Sequence, residues 1–185
     1  MTTRREQYTP GPPDAEVRKD GEKWTLILVR QLRHSREKVW QALTDPAHLR
    51  EWAPFDVDRN LGTAGTTVSL TWVGAPKPLE TPVTRAEAPS VLEYGDIRWE
   101  LEAAGNGTRL TLWASIDRRF VSMGAAGWHI SLDVLEGLLD GAPVGRICGS
   151  DAMQFEGWQR LNMEYAKQFG VELPIWSHST AKRES

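Results

Sequence analysis

Cysteine is nearly absent from the 185 residues: Cys148 stands alone, so no internal disulfide can form and a reduced, cytoplasmic compartment is the default expectation. The four histidines, His34, His48, His129 and His178, lie far apart with no cysteine or second histidine at ligand spacing, which leaves no metal signature. No nucleophile or phosphate motif stands out, and no cofactor is expected. No apolar run approaches the roughly 18 residues that cross a bilayer, so membrane insertion is not expected. The opening stretch MTTRREQYTPGPP also lacks the apolar core of a signal peptide. Excess basic charge is missing too. The 22 Lys and Arg are scattered among 25 Asp and Glu for a net charge of -3, whereas a phosphate backbone needs clustered cations, so nucleic acid is excluded.

What the chain does have is 40% apolar and 25% charged residues, enough for the core of one domain. Residues 1–13 are polar and rich in Pro and Gly and read as a flexible tail. A single domain is expected over 14–170, with a loose tail over 171–185. Asp20-Gly21 separates two strand-like runs, the chemistry of a two-residue hairpin turn. The second run places Trp24, Leu26, Leu28 and Leu32 on one face and Ile27 and Val29 on the other, the pattern of a central strand.

REKVWQALTDPAHLREWAP reads as two short helices meeting at a proline. Ser35 caps the first, Glu37 sits where negative charge suits a helix start, and Pro46 suits the first position of the second. Trp40 is expected in the core and Trp52 at a rim. Further on, Val68, Leu70 and Trp72 alternate with polar residues. The clearest hairpin follows: Ile97, Trp99 and Leu101 alternate inward, Gly105-Asn106-Gly107 turns, and Leu110, Leu112, Ala114 and Ile116 return. In GWHISLDVLEGLLDG, Trp128, Leu132, Leu135 and Leu139 centre an apolar arc covering roughly half of a helix or more. His129, Asp133, Glu136 and Asp140 fill the polar remainder, where His129 and Asp133 read as a solvated pair and alanine at His129 is expected to be silent. Ser131 lies inside the apolar arc and either bonds the Gly127 carbonyl or faces a cavity. Cys148, with Arg146 as its basic neighbour, reads as inert.

REKVWQALTDPAHLREWAP, EAAGNGTRLTL and GWHISLDVL, in this order and at these separations, resemble the SRPBCC or START-like superfamily, in its branch of activators of a heat-shock chaperone ATPase, over residues 20–140. The resemblance implies an α+β helix-grip fold: a curved antiparallel sheet around a long C-terminal helix, two short helices after the first long strand, and a mostly apolar cavity between sheet and helix. Two departures stand out. The family's glycine-rich turn is LGTAGTT here, which implies a different cavity mouth, and 185 residues leave no room for the separate chaperone-binding domain of the eukaryotic activators.

Beyond the resemblance, SDAMQFEGWQRLNMEYAKQFG reads as one more helix capped by Ser150 or Asp151. It can extend the long helix, cover the cavity, or make the subunit contact of a homodimer.

Non-enzymatic binding of a small hydrophobic molecule is the preferred function, with Trp52, Trp72, Trp99, Trp128, Ser131, Leu132 and Leu135 as the ligand-binding residues and no catalytic residue assigned. The alternatives are a cyclase-like enzyme using Ser131 or His129 in the same cavity, or a chaperone-interacting protein, which rests on family analogy alone.

Overall fold

A computed structural model describes residues 1–173, so all of the expected loose tail but 171–173 lies outside the described residues. Eight antiparallel strands form one curved sheet in the order β1-β2-β8-β7-β6-β5-β4-β3. They are β1 (Glu16–Arg18), β2 (Lys23–Leu32), β3 (Phe55–Val57), β4 (Thr67–Trp72), β5 (Leu79–Glu87), β6 (Val91–Tyr94), β7 (Ile97–Ala104) and β8 (Gly107–Asp117). The sheet wraps the long helix α4 (Val121–Leu139). Helices α2 (Arg36–Thr44) and α3 (Pro46–Trp52) follow β2 as the sequence pattern predicts. Among the described residues there are also α1 (Arg4–Gln7), a 3-10 turn (Arg118–Phe120) leading into α4, α5 (Gly149–Gln154) and α6 (Glu156–Phe169). Among the described residues no helix is long and apolar enough to cross a membrane.

Local chemistry accounts for much of this. Leu26, Leu28 and Leu32 point from β2 into the core at period two, and Trp99 and Leu101 do the same from β7. Ala104 pairs with Gly107 across Gly105-Asn106, a two-residue turn made accessible by the positive φ of Gly105. Ser35 Oγ accepts from the Lys38 amide to cap α2, and Asp45 caps α3 with Pro46 at its start. The Asp20-Gly21 turn is looser than expected. Arg18 pairs with Thr25, so the connection spans more than two residues, although Gly21 does take a positive φ.

The two helical tryptophans exchange the places expected for them. Trp52 is fully buried and Trp40 only half-buried. The reason is a helix end: the last carbonyls of α2 lack helical partners, and the Trp52 indole N–H donates to one of them, Ala42 O, at 2.9 Å. A side chain bridging two helices from below must sit inside.

The expected single helix over 151–169 is broken at Phe155, whose backbone is extended (φ −80°, ψ 121°). No proline marks the break. The Phe155 ring instead stacks on Tyr8 at 5.9 Å, and a Cβ on Gly157 would approach Pro10 Cδ to 2.7 Å, so the chain opens where the N-terminal segment packs against it. Neither Ser150 nor Asp151 caps a helix here. The residues before the two starts are Cys148 and Phe155, and neither side chain makes a capping bond.

The N-terminal segment, expected as a flexible tail, makes definite contacts. Tyr8 donates to the Asp133 carboxylate, and Arg160 donates to the Pro10 carbonyl. Next to it, the Gln168 side-chain amide reaches Ala15 O at 2.8 Å.

Candidate functional site

Between the sheet and α4 lies a cavity of about 220 Å³. Leu26, Leu70, Ala114 and Ile97 form its apolar floor from four strands, while Trp72, Tyr94 and Trp128 wall it with rings. Exposed Leu79, Gly95 and Asp96 stand at its mouth; the LGTAGTT turn, expected there, does not line it. This volume exceeds the roughly 150 Å³ that accepts benzene in an apolar core and falls short of the roughly 300–1,000 Å³ of drug-sized sites.

The walls belong to a larger aromatic cluster packed edge to face. Trp72 meets Trp128 at 6.3 Å, Phe55 meets Trp72 at 5.3 Å and Tyr94 at 6.0 Å, and Trp99 backs Trp128 at 5.7 Å. Trp52 completes it against Trp99 at 6.0 Å.

Thr81 and Tyr94 are among the polar residues of the lining, with Asp96 and Ser115. Thr81 Oγ1 donates to Leu79 O at 3.1 Å and is satisfied. The Tyr94 hydroxyl accepts from Trp99 Nε1 at 3.0 Å, which leaves its own proton to donate. Burial pushes the Tyr94 phenol above its usual value, against the pull of the Trp99 hydrogen bond, so it remains a donor across the physiological range.

Of the residues expected to bind ligand, Trp72 and Trp128 line this cavity. Trp52 and Trp99 form the second layer of the aromatic cluster, and Leu132 and Leu135 are buried in the core away from the cavity. Ser131 lines a different space, on another flank of α4. Tyr94, Thr81 and Ala114 were not singled out in the sequence, although the inward alternation of β8 includes Ala114.

His129 corrects a second expectation. It is 2% exposed, not solvated. Its Nδ1 lies 2.8 Å from the Tyr165 hydroxyl and 3.2 Å from Asp14, and its Nε2 lies 3.7 Å from Asp133. Around His129 and Asp133 the polar arc of α4 is covered by Tyr165 of α6 and by Tyr8 and Asp14 of the segment before β1, while Asp140 at its far end stays exposed. A silent alanine at 129 is therefore no longer the expectation. Neither His129 nor Ser131 lines the sheet–helix cavity, so the residues named for a cyclase-like reaction are not in it.

Asp14 is the titratable hinge of this buried cluster. Burial raises its carboxyl, but the His129 hydrogen bond, the Arg30 guanidinium and the Tyr165 hydroxyl together outweigh burial and hold it below the usual value. A carboxyl lowered on folding stabilises the protein above its unfolded pKa of about 3.9, and that stability is lost as pH falls through the lower folded value. The urea midpoint of the parent should therefore drop more between pH 5 and pH 3 than that of Asp14→Asn; parallel curves would show that Asp14 contributes nothing.

The half-wrapped sheet, the paired short helices and the enclosed α4 together define a helix-grip protein. Residues 33–140, more than half of the chain, match the family described as Activator of Hsp90 ATPase homolog 1-like protein, and the chain belongs to that family. Among solved structures, the conserved protein of unknown function EF2215 from Enterococcus faecalis is similar with a TM-score of 0.65 and 19% identity, over 84% of this chain and 90% of that one. CalU16 from Micromonospora echinospora gives 0.59 and 19% over 85% and 94%. DynU16, described as a protein of the dynemicin biosynthetic locus, gives 0.57 and 21% over 68% and 51%. No curated protein matches the chain.

Proposed function

We propose that the protein binds, without transforming it, a small apolar molecule of about one or two rings in the cavity between sheet and α4. The observation that carries this reading is the Trp72, Tyr94 and Trp128 wall with one hydroxyl proton to spare. Apolar walls supply affinity, and the Tyr94 hydroxyl proton favours a ligand with an acceptor such as a carbonyl. The occurrence of the similar DynU16 in a biosynthetic locus accords with a small-molecule ligand.

The test is a saturation-transfer NMR titration with acetophenone, which has a ring and one carbonyl, and with toluene, which lacks the carbonyl. Ala114→Leu adds volume at the floor and should weaken both probes by roughly tenfold or more while the protein stays folded by circular dichroism. Tyr94→Phe should weaken acetophenone by about threefold to tenfold and leave toluene unchanged. Non-saturable binding to the parent, or equal binding to a folded Ala114→Leu protein, would overturn the reading.

A further inference from the structure

A second concavity, of about 330 Å³, lies on the flank of α4 that carries Met123, Gly124, Gly127 and Ser131. These positions recur at helical spacing, so they form one stripe along the helix. The opposite wall is built by Ile147, Cys148 and Gly149, by Ala152 and Met153 of α5, and by Trp158 of α6. That wall lies outside residues 33–140, the part that matches the family. Ile116 of β8 lines both spaces and stands between them.

Two observations mark the groove as more than a packing defect. The first is Ser131, which is 1% exposed and whose Oγ has no hydrogen-bond partner. The Gly127 carbonyl one turn earlier, the usual acceptor for a mid-helix serine, does not take its proton. A buried hydroxyl left unpaired is unfavourable, and such groups in native proteins call for an explanation. The second is Gly127, where a Cβ would meet nothing within 4 Å. Glycine in the middle of a 19-residue helix costs stability relative to alanine, and no protein atom needs its lack of a side chain.

The residues lining the groove carry no charge, so an ionic ligand would be desolvated there with no counter-charge to compensate. We infer that this groove is a second ligand site, distinct from the sheet–helix cavity, which takes a neutral, mostly apolar molecule whose hydroxyl or carbonyl group hydrogen-bonds Ser131 Oγ. Gly127 keeps the floor of the site open, and the α5 segment closes it.

Cys148, the single cysteine, sits in the wall and reports on occupancy. Its alkylation by iodoacetamide can be followed by mass spectrometry with and without 1-octanol as the probe. Burial raises the thiol, so the reaction is run at mildly alkaline pH. Octanol should slow labelling of the parent saturably. Ser131→Ala should raise the octanol concentration needed by about threefold to tenfold, the loss of one hydrogen bond. Gly127→Leu, which places a side chain in open space, should abolish the protection while keeping or raising the thermal midpoint.

Ala114→Leu, which fills the other cavity, should leave the protection intact, so the two sites fail or succeed separately. Unprotected Cys148 in the parent would overturn the inference. So would undiminished protection in Ser131→Ala, or loss of protection in a folded Ala114→Leu protein.

Discussion

Replacing Trp99 with alanine should lower the unfolding free energy by about 3 to 5 kcal/mol, the range for removing a buried large aromatic side chain. Trp99 is fully buried on β7, with its ring against Trp52 and Trp128. Two costs add. The void would sit at the centre of the edge-to-face cluster, where neighbouring rings cannot collapse without losing their own contacts. The Tyr94 hydroxyl would also lose its indole donor. Urea unfolding of parent and variant measures the difference, and Trp99→Phe should fall between them. A loss under about 1 kcal/mol would show that the cluster repacks freely, and the cavity walls would then not be rigid enough to select a ligand.

The second large effect is expected at Arg30, a buried cation on the inward face of β2. Its guanidinium reaches Asp14 at 2.6 Å and Asp133 at 3.6 Å with 9% of the side chain exposed. Removing one partner of a fully buried pair costs about 3 to 5 kcal/mol because the other charges are left uncompensated. Asp14 is 47% exposed, and solvent screening there reduces the loss expected for Arg30→Met to about 2 to 3 kcal/mol. Methionine keeps the apolar stem, so the change reports on charge and hydrogen bonding. Adding Asp14→Asn and Asp133→Asn to Arg30→Met should recover part of the stability. A triple variant no better than the single one would show that the cost is packing alone.

The sheet was legible wherever one face is buried and the other wet, because period-two alternation records that asymmetry directly. Leu26 and Leu28, and Trp99 and Leu101, are of this kind, while the Gly105-Asn106 turn was legible from the backbone freedom of its glycine. The helix pair was legible from Ser35, Asp45 and Pro46, whose effects are local. What could not be read depends on a partner distant in sequence. His129 has the helical angle of a surface residue and becomes buried because Tyr165 of α6 and Asp14 of the segment before β1 come over it. Trp52 and Trp40 differ through one carbonyl that the fold places under the former.

The same holds within the candidate site. Trp72 and Trp128 share the cavity, as their inward positions imply, yet Ser131 is turned to the groove by its angle on α4. The α5 segment that completes the groove has no strong periodicity of its own. Tyr94 lies on the short strand β6, whose four residues are too few to establish a pattern.

Both margins of the sheet end in strands of three residues, β1 and β3. A margin that short offers another chain few free backbone groups to pair with, which is how natural sheets discourage polymerisation through their edges. The strand inside β1 is different in kind. β2 runs for ten residues and carries Trp24, Leu26, Ile27, Leu28 and Val29, a composition prone to cross-β stacking once its side is open. Proteolytic trimming past Arg18 would uncover that side. The ties that Tyr8 and Pro10 make to α4 and α6 hold the N-terminal segment in place, and with it the short strand that covers that side.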